Sequence, residues 1–83
     1  MTIDEILKTN NISLIANFIK NDWKNIYFGA KPYLDAMTEI ESIDDSYFED
    51  NAKNIVLYFL SNAQHYRGEN ARKIKSHLNK ICK

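Results

Sequence analysis

Apolar residues recur at steps of three and four along most of this chain, the spacing that places them on one face of an α-helix. The strongest run is residues 46–64, where Phe48, Ala52, Ile55, Val56, Phe59, Leu60 and Ala63 share a face flanked by Leu57 and Tyr58. Ser46 followed by Glu49 has the form of a capping box, in which each side chain satisfies a backbone N–H of the first turn. This stretch is expected to be a central helix. Thr2-Ile3-Asp4-Glu5 repeats the pattern ahead of Ile3, Ile6 and Leu7 and predicts a two-turn helix ending at Thr9-Asn10-Asn11. Ile12, Ile15, Ala16, Phe18, Ile19, Trp23 and Ile26 predict a second, capped by Asn10 or Asn11 and ending between Asp22 and Tyr27.

Tyr27-Phe28-Gly29-Ala30-Lys31-Pro32-Tyr33 punctuates the chain. Gly29 suits a left-handed C′ position, and Pro32 suits the first position of a further helix over residues 32–41. That helix is expected to turn Tyr33, Leu34, Met37 and Ile40 inward and Asp35, Thr38 and Glu39 outward. The three aromatics of the turn are expected to close one end of the core, the alternative being an exposed binding edge. After an acidic connection at residues 42–45 and the central helix, His65-Tyr66-Arg67-Gly68 marks a stop. Asn70 or a neighbour then caps a last helix with Ala71, Ile74, Leu78 and Ile81 inward. The expected fold is all-α, a compact bundle of four to five short helices around the central one, forming a single domain over residues 1–83.

Composition narrows the picture. Eighty-three residues close one small core, and a hydrophobic fraction of 45% with ten aromatics is enough to fill it. One cysteine, Cys82, rules out an internal disulfide and a cysteine-based zinc site. No run approaches the roughly 20 apolar residues of a membrane span. The first eight residues carry acids where a secretory leader has bases, so a cytoplasmic protein is expected.

Net charge is zero but unevenly spread: residues 35–50 hold seven acids and no base, whereas residues 66–83 hold six bases against Glu69. Such asymmetry steers charged partners or neutralises itself within the fold or across a homodimer. Metal ligands are scarce. His65 and His77 fall on different elements, and the i, i+5 offset of His77 and Cys82 does not share a helical face, so no metal site is expected. The acidic run at 44–49 lacks the glycine and alternating oxygens of a calcium loop. No serine or cysteine sits in a nucleophile pattern, Cys82 is next to the last residue where a chain end frays, and Gly29 and Gly68 stand alone. Neither a cofactor nor an enzymatic activity is expected.

The segments Tyr27-Phe28-Gly29-Ala30-Lys31-Pro32-Tyr33-Leu34-Asp35-Ala36-Met37 and Ile55-Val56-Leu57-Tyr58-Phe59-Leu60-Ser61-Asn62-Ala63, followed by Arg67-Gly68, resemble small uncharacterised helical proteins carried by phages and other mobile elements of low-GC bacteria. That group has no agreed activity. The resemblance implies a compact accessory protein that binds and inhibits or modulates a host protein complex, as anti-CRISPR and other anti-defence proteins do.

On the residues, the leading expectation is an acidic mimic of nucleic-acid phosphate that meets a basic groove on that partner. Asp35, Glu39, Asp44, Asp45, Glu49 and Asp50 are its expected contacts, with Tyr33 and Tyr47 as aromatic anchors. The alternative is a small DNA-binding regulator using Arg67, Arg72, Lys73, Lys75 and Lys80 on the last helix. A third reading is a homodimer that pairs acidic with basic segments, against a simple monomer.

Overall fold

The capping pattern at the start of the chain forms as its residues imply. Thr2 Oγ1 accepts from the Glu5 backbone N–H at 3.2 Å and Glu5 Oε1 accepts from the Thr2 N–H at 3.0 Å, opening α1 (Ile3–Thr9). These bonds, the backbone one first, hold the Glu5 carboxyl below the usual carboxylate range. Asn10 ends the helix at φ 53°, a left-handed conformation that asparagine tolerates. Asn11 Oδ1 then accepts from the Leu14 N–H at 3.1 Å and caps α2 (Ile12–Asp22). The structure, a computed structural model, describes residues 2–83; Met1, the first residue of the expected domain, lies outside them. Among the described residues the chain continues as α3 (Lys31–Met37), β1 (Ser46–Tyr47), β2 (Asp50–Asn51), α4 (Ala52–Ser61) and α5 (Glu69–Ile81). The fold is mostly helical, with one small hairpin.

That hairpin overturns the expected start of the central helix. Ser46 and Tyr47 pair antiparallel with Asn51 and Asp50, across a turn at Phe48 and Glu49. The cause is local. Asp45 Oδ2 accepts from the N–H groups of Glu41 (3.2 Å) and Ser42 (3.0 Å), and the Asp45 carbonyl accepts from Ala52 at 2.8 Å, closing a turn before any helix starts. Asn51, not Ser46, caps α4, accepting from the Asn54 N–H at 2.8 Å. Phe48, expected on the buried face, is 86% exposed.

Four further expectations change. Gly29 does not adopt the left-handed conformation. A Cβ there would lie 2.6 Å from Tyr27 Cε2 and 3.0 Å from Asn62 Oδ1, so any other residue would have to displace the Tyr27 ring. Lys31, not Pro32, is the first residue of α3, and the helix stops at Met37 because the N–H groups of Glu39 and Ile40 turn back to Ala36 and Met37. Gly68, at φ 117°, precedes α5 without any side-chain cap, while Asn70 lies inside the helix and reaches Asp22. Cys82 is not frayed but 5% exposed, its Sγ 4.0 Å from the Lys53 carbonyl, and burial pushes its thiol pKa up.

Every helix contributes to one cluster of buried side chains. Trp23, just after α2, stacks on Tyr66 (centroids 5.1 Å apart) and meets Phe59 edge-on at 6.3 Å. The Tyr66 hydroxyl donates to Asp22 Oδ2 at 2.9 Å, so its polar end is satisfied; burial foremost, with that bond and the Asp22 charge, raises its pKa. Lys53 near the start of α4 meets Cys82 beyond the end of α5, while Phe59 near the end of α4 shares Trp23 with Tyr66, just before α5. The two helices are therefore antiparallel. The hairpin and the Gly68 turn lie at opposite ends of α4, about 15 Å apart by helix length. Among the described residues no helix is long and apolar enough to cross a membrane.

Candidate interaction surfaces

The structure divides the expected acidic contacts into two groups. Asp44, Glu49 and Asp50 are exposed on and beside the hairpin. The other three serve the fold. Asp35 Oδ1 pairs with Lys20 Nζ at 2.7 Å, Glu39 Oε2 accepts from the Tyr47 hydroxyl at 3.0 Å, and Asp45 closes the turn before β1. Tyr47 is therefore a brace and not a free anchor; its bond to Glu39 is the main cause of a raised phenol pKa. Tyr33 is half-buried on the seam of α3 and α4, its ring 5.4 Å from that of Tyr58.

The exposed ring that the helical pattern had placed in the core is Phe48. Its φ of 56° is a conformation that costs a residue with a side chain roughly 1–2 kcal/mol relative to glycine. Its ring touches Tyr47 edge-on at 4.6 Å but otherwise faces water. An apolar ring thus projects among carboxylates, held by a brace beneath it. The only sign in the sequence was a phenylalanine set directly within an acidic run.

The basic set also splits. Arg67, Arg72 and Lys75, with Tyr66, Gly68 and Glu69, line an open depression of about 710 Å³ at the start of α5. Lys75 Nζ lies 5.8 Å from the centre of the Tyr66 ring. Burial first, and the nearby Arg67 charge second, lower the Lys75 pKa. Lys73 and Lys80 face α1 instead, around Asp4, Leu7 and His77, and Lys73 pairs with Asp4 at 3.8 Å. The five bases do not form the single face that a recognition helix needs.

On that second face His77 Nε2 lies 2.7 Å from Asn10 Oδ1. Burial, then the charge of Lys80, holds the imidazole pKa below its ordinary 6.5. The folded state favours neutral His77, so the unfolded chain takes up the proton first as pH falls. The resulting stability is complete above the unfolded value near 6.5 and is lost as pH drops through the lower folded value. Between about pH 7.5 and 5, the thermal midpoint is expected to fall further in the wild type than in His77→Gln.

The aromatic turn does not close the core as expected. Phe28 is 78% exposed and Tyr27 40%, while Ala30 and Trp23 take the buried places. The Tyr27 ring lies 4.9 Å from Phe28 and 6.2 Å from His65. Among the described residues no three His, Cys, Asp or Glu side chains are grouped to hold a metal ion. No protein-family model, curated protein or solved structure matches the chain.

Proposed function

We propose that this protein is a non-enzymatic interaction module that seats its acidic hairpin in a basic groove of a partner protein, occupying a place where nucleic acid binds. The observation that carries this reading is Phe48, an exposed aromatic in a strained backbone conformation at the tip of an acidic hairpin. A ring ready to fill a pocket, surrounded by charges that remain at the rim, has the anatomy of an interface hot spot. Asp44, Glu49 and Asp50 make no ion pair among the described residues, so their field is available to steer a basic partner.

In this reading the helices act as a bundle around α4 that holds the hairpin still. The partner is a host complex in the cytoplasm of a bacterium, and the protein is an inhibitor carried by a phage or mobile element, the setting that the resemblance at residues 27–37 supports. The test is affinity capture from a nuclease-treated bacterial lysate, comparing the wild type with the variant D44K/E49K/D50K; Asp45 is left in place because it closes the turn. The wild type is expected to retain a stoichiometric protein that the variant, with an unchanged circular dichroism spectrum, loses. Equal recovery by both rejects the hairpin as the contact. A wild type that captures only its own copies, as a salt-sensitive dimer in sedimentation, assigns the hairpin to self-association instead.

A further inference from the structure

Three neighbouring depressions form one strip of surface between Lys75 and Phe28. The one beside Gly68 shares Tyr66 and Arg67 with a second that reaches Lys24 and His65. His65 also borders a third, lined by Tyr27 and Asn62, and the Tyr27 ring leads to Phe28. Cations occupy one end of the strip and exposed rings the other. We propose that this strip binds a short single strand of nucleic acid, with Arg67, Arg72 and Lys75 on its phosphates and Phe28 and Tyr27 beneath its bases.

The charge along the strip favours an anion. Lys24, Arg67, Arg72 and Lys75 form no ion pair among the described residues. Two carboxylates face them: Glu69 at the rim, and Asp22, whose oxygens already accept from the Tyr66 hydroxyl and from Asn70 at 3.4 Å. Arg67 and Lys75 repel one another across the depression, and a phosphate between them would remove that repulsion. The uncapped start of α5 turns its positive end toward the same place.

The rings select the form of the ligand. A phosphate alone has no use for Phe28, and a duplex hides the faces of its bases, whereas an unpaired base stacks on an exposed ring whatever its identity. The floor is built around Tyr66, which stacks on Trp23 and donates its hydroxyl to Asp22. The longest dimension of the molecule is 32 Å, so the strip takes only a short segment, at the low end of the roughly 4–16 nucleotides of known sites.

The test is fluorescence anisotropy with a labelled oligodeoxythymidine of roughly 12 nucleotides at about 50 mM salt. The full chain is expected to bind it, to bind a duplex of the same length more weakly, and to show a log–log salt slope of about −2, as three phosphate contacts to a single strand imply. Phe28→Ala, at an exposed position, should lower affinity about 5- to 150-fold and leave the salt slope unchanged. R67Q/R72Q/K75Q should abolish binding, whereas K73Q/K80Q on the other face should leave it intact. The proposal fails if the wild type does not bind the oligonucleotide, if Phe28→Ala binds as well as the wild type, or if K73Q/K80Q weakens binding as much as the other charge variant. Competition by inorganic phosphate as strong as by the oligonucleotide would likewise overturn it, marking a simple anion site.

Discussion

Replacing Phe59 by alanine is expected to remove about 3–5 kcal/mol of folding stability, the range for a buried aromatic cut back to a methyl group. Phe59 is fully enclosed and supports the edge of Trp23, which in turn supports Tyr66, so its loss opens a cavity where α4, the segment after α2 and the segment before α5 meet. A chain of this size has a total of roughly 4–12 kcal/mol to lose. The variant should therefore unfold at far lower urea concentration than the wild type, or fail to fold at ordinary temperature. Phe59→Leu, which keeps most of the volume, is expected to lose less than about half as much. Near-identical urea midpoints for Phe59→Ala and the wild type would contradict the packing around Trp23.

Phe48→Gly is expected to move stability and binding in opposite directions. Glycine accepts a φ of 56° without the Cβ clash that phenylalanine bears, and the ring it removes is 86% exposed. Stability should rise by a few tenths to about 1 kcal/mol, the extra freedom of glycine in the unfolded chain offsetting part of the relief. Affinity for the captured partner should drop about 30-fold or more, as when an aromatic hot-spot residue is removed. A thermal melt and a titration on the same sample separate the two effects. A lower melting midpoint would show that the ring packs on the fold, and unchanged affinity would remove it from the proposed contact.

Where one local signal dominated, the sequence was readable closely. Thr2 with Glu5 marks the start of α1 to the residue, and the start of α2 was confined to Asn10 or Asn11, of which Asn11 is the cap, by side-chain bonds that need no tertiary partner. Ile74 and Leu78 mark an inner face by spacing alone. The hairpin was not readable because Ser46, Phe48 and Glu49 satisfy the helical pattern as well as the true structure does. The decision falls to Asp45, whose carboxylate takes two backbone N–H groups and commits the chain to a turn. Gly29 was misread because a glycine lying close under a neighbouring ring and one in a left-handed backbone look alike in sequence. The candidate surfaces were legible as charges and aromatics, but not as neighbours. That Arg72 and Lys75 share a depression with Arg67 while Lys73 turns toward Asp4 depends on the rotation of α5 against α1.

Trp23 is the chain's one tryptophan, and it borders the middle depression of the strip, stacked on Tyr66 and 6% exposed. The molecule therefore carries a built-in optical probe. Its emission reports the polarity around a single indole, with no second tryptophan to average the signal. When the core opens, that emission shifts to the red as water reaches the ring. A ligand on the proposed strip would leave the indole buried, so its expected signature is a change of intensity without the red shift of unfolding, which would tell occupancy from unfolding in unlabelled protein.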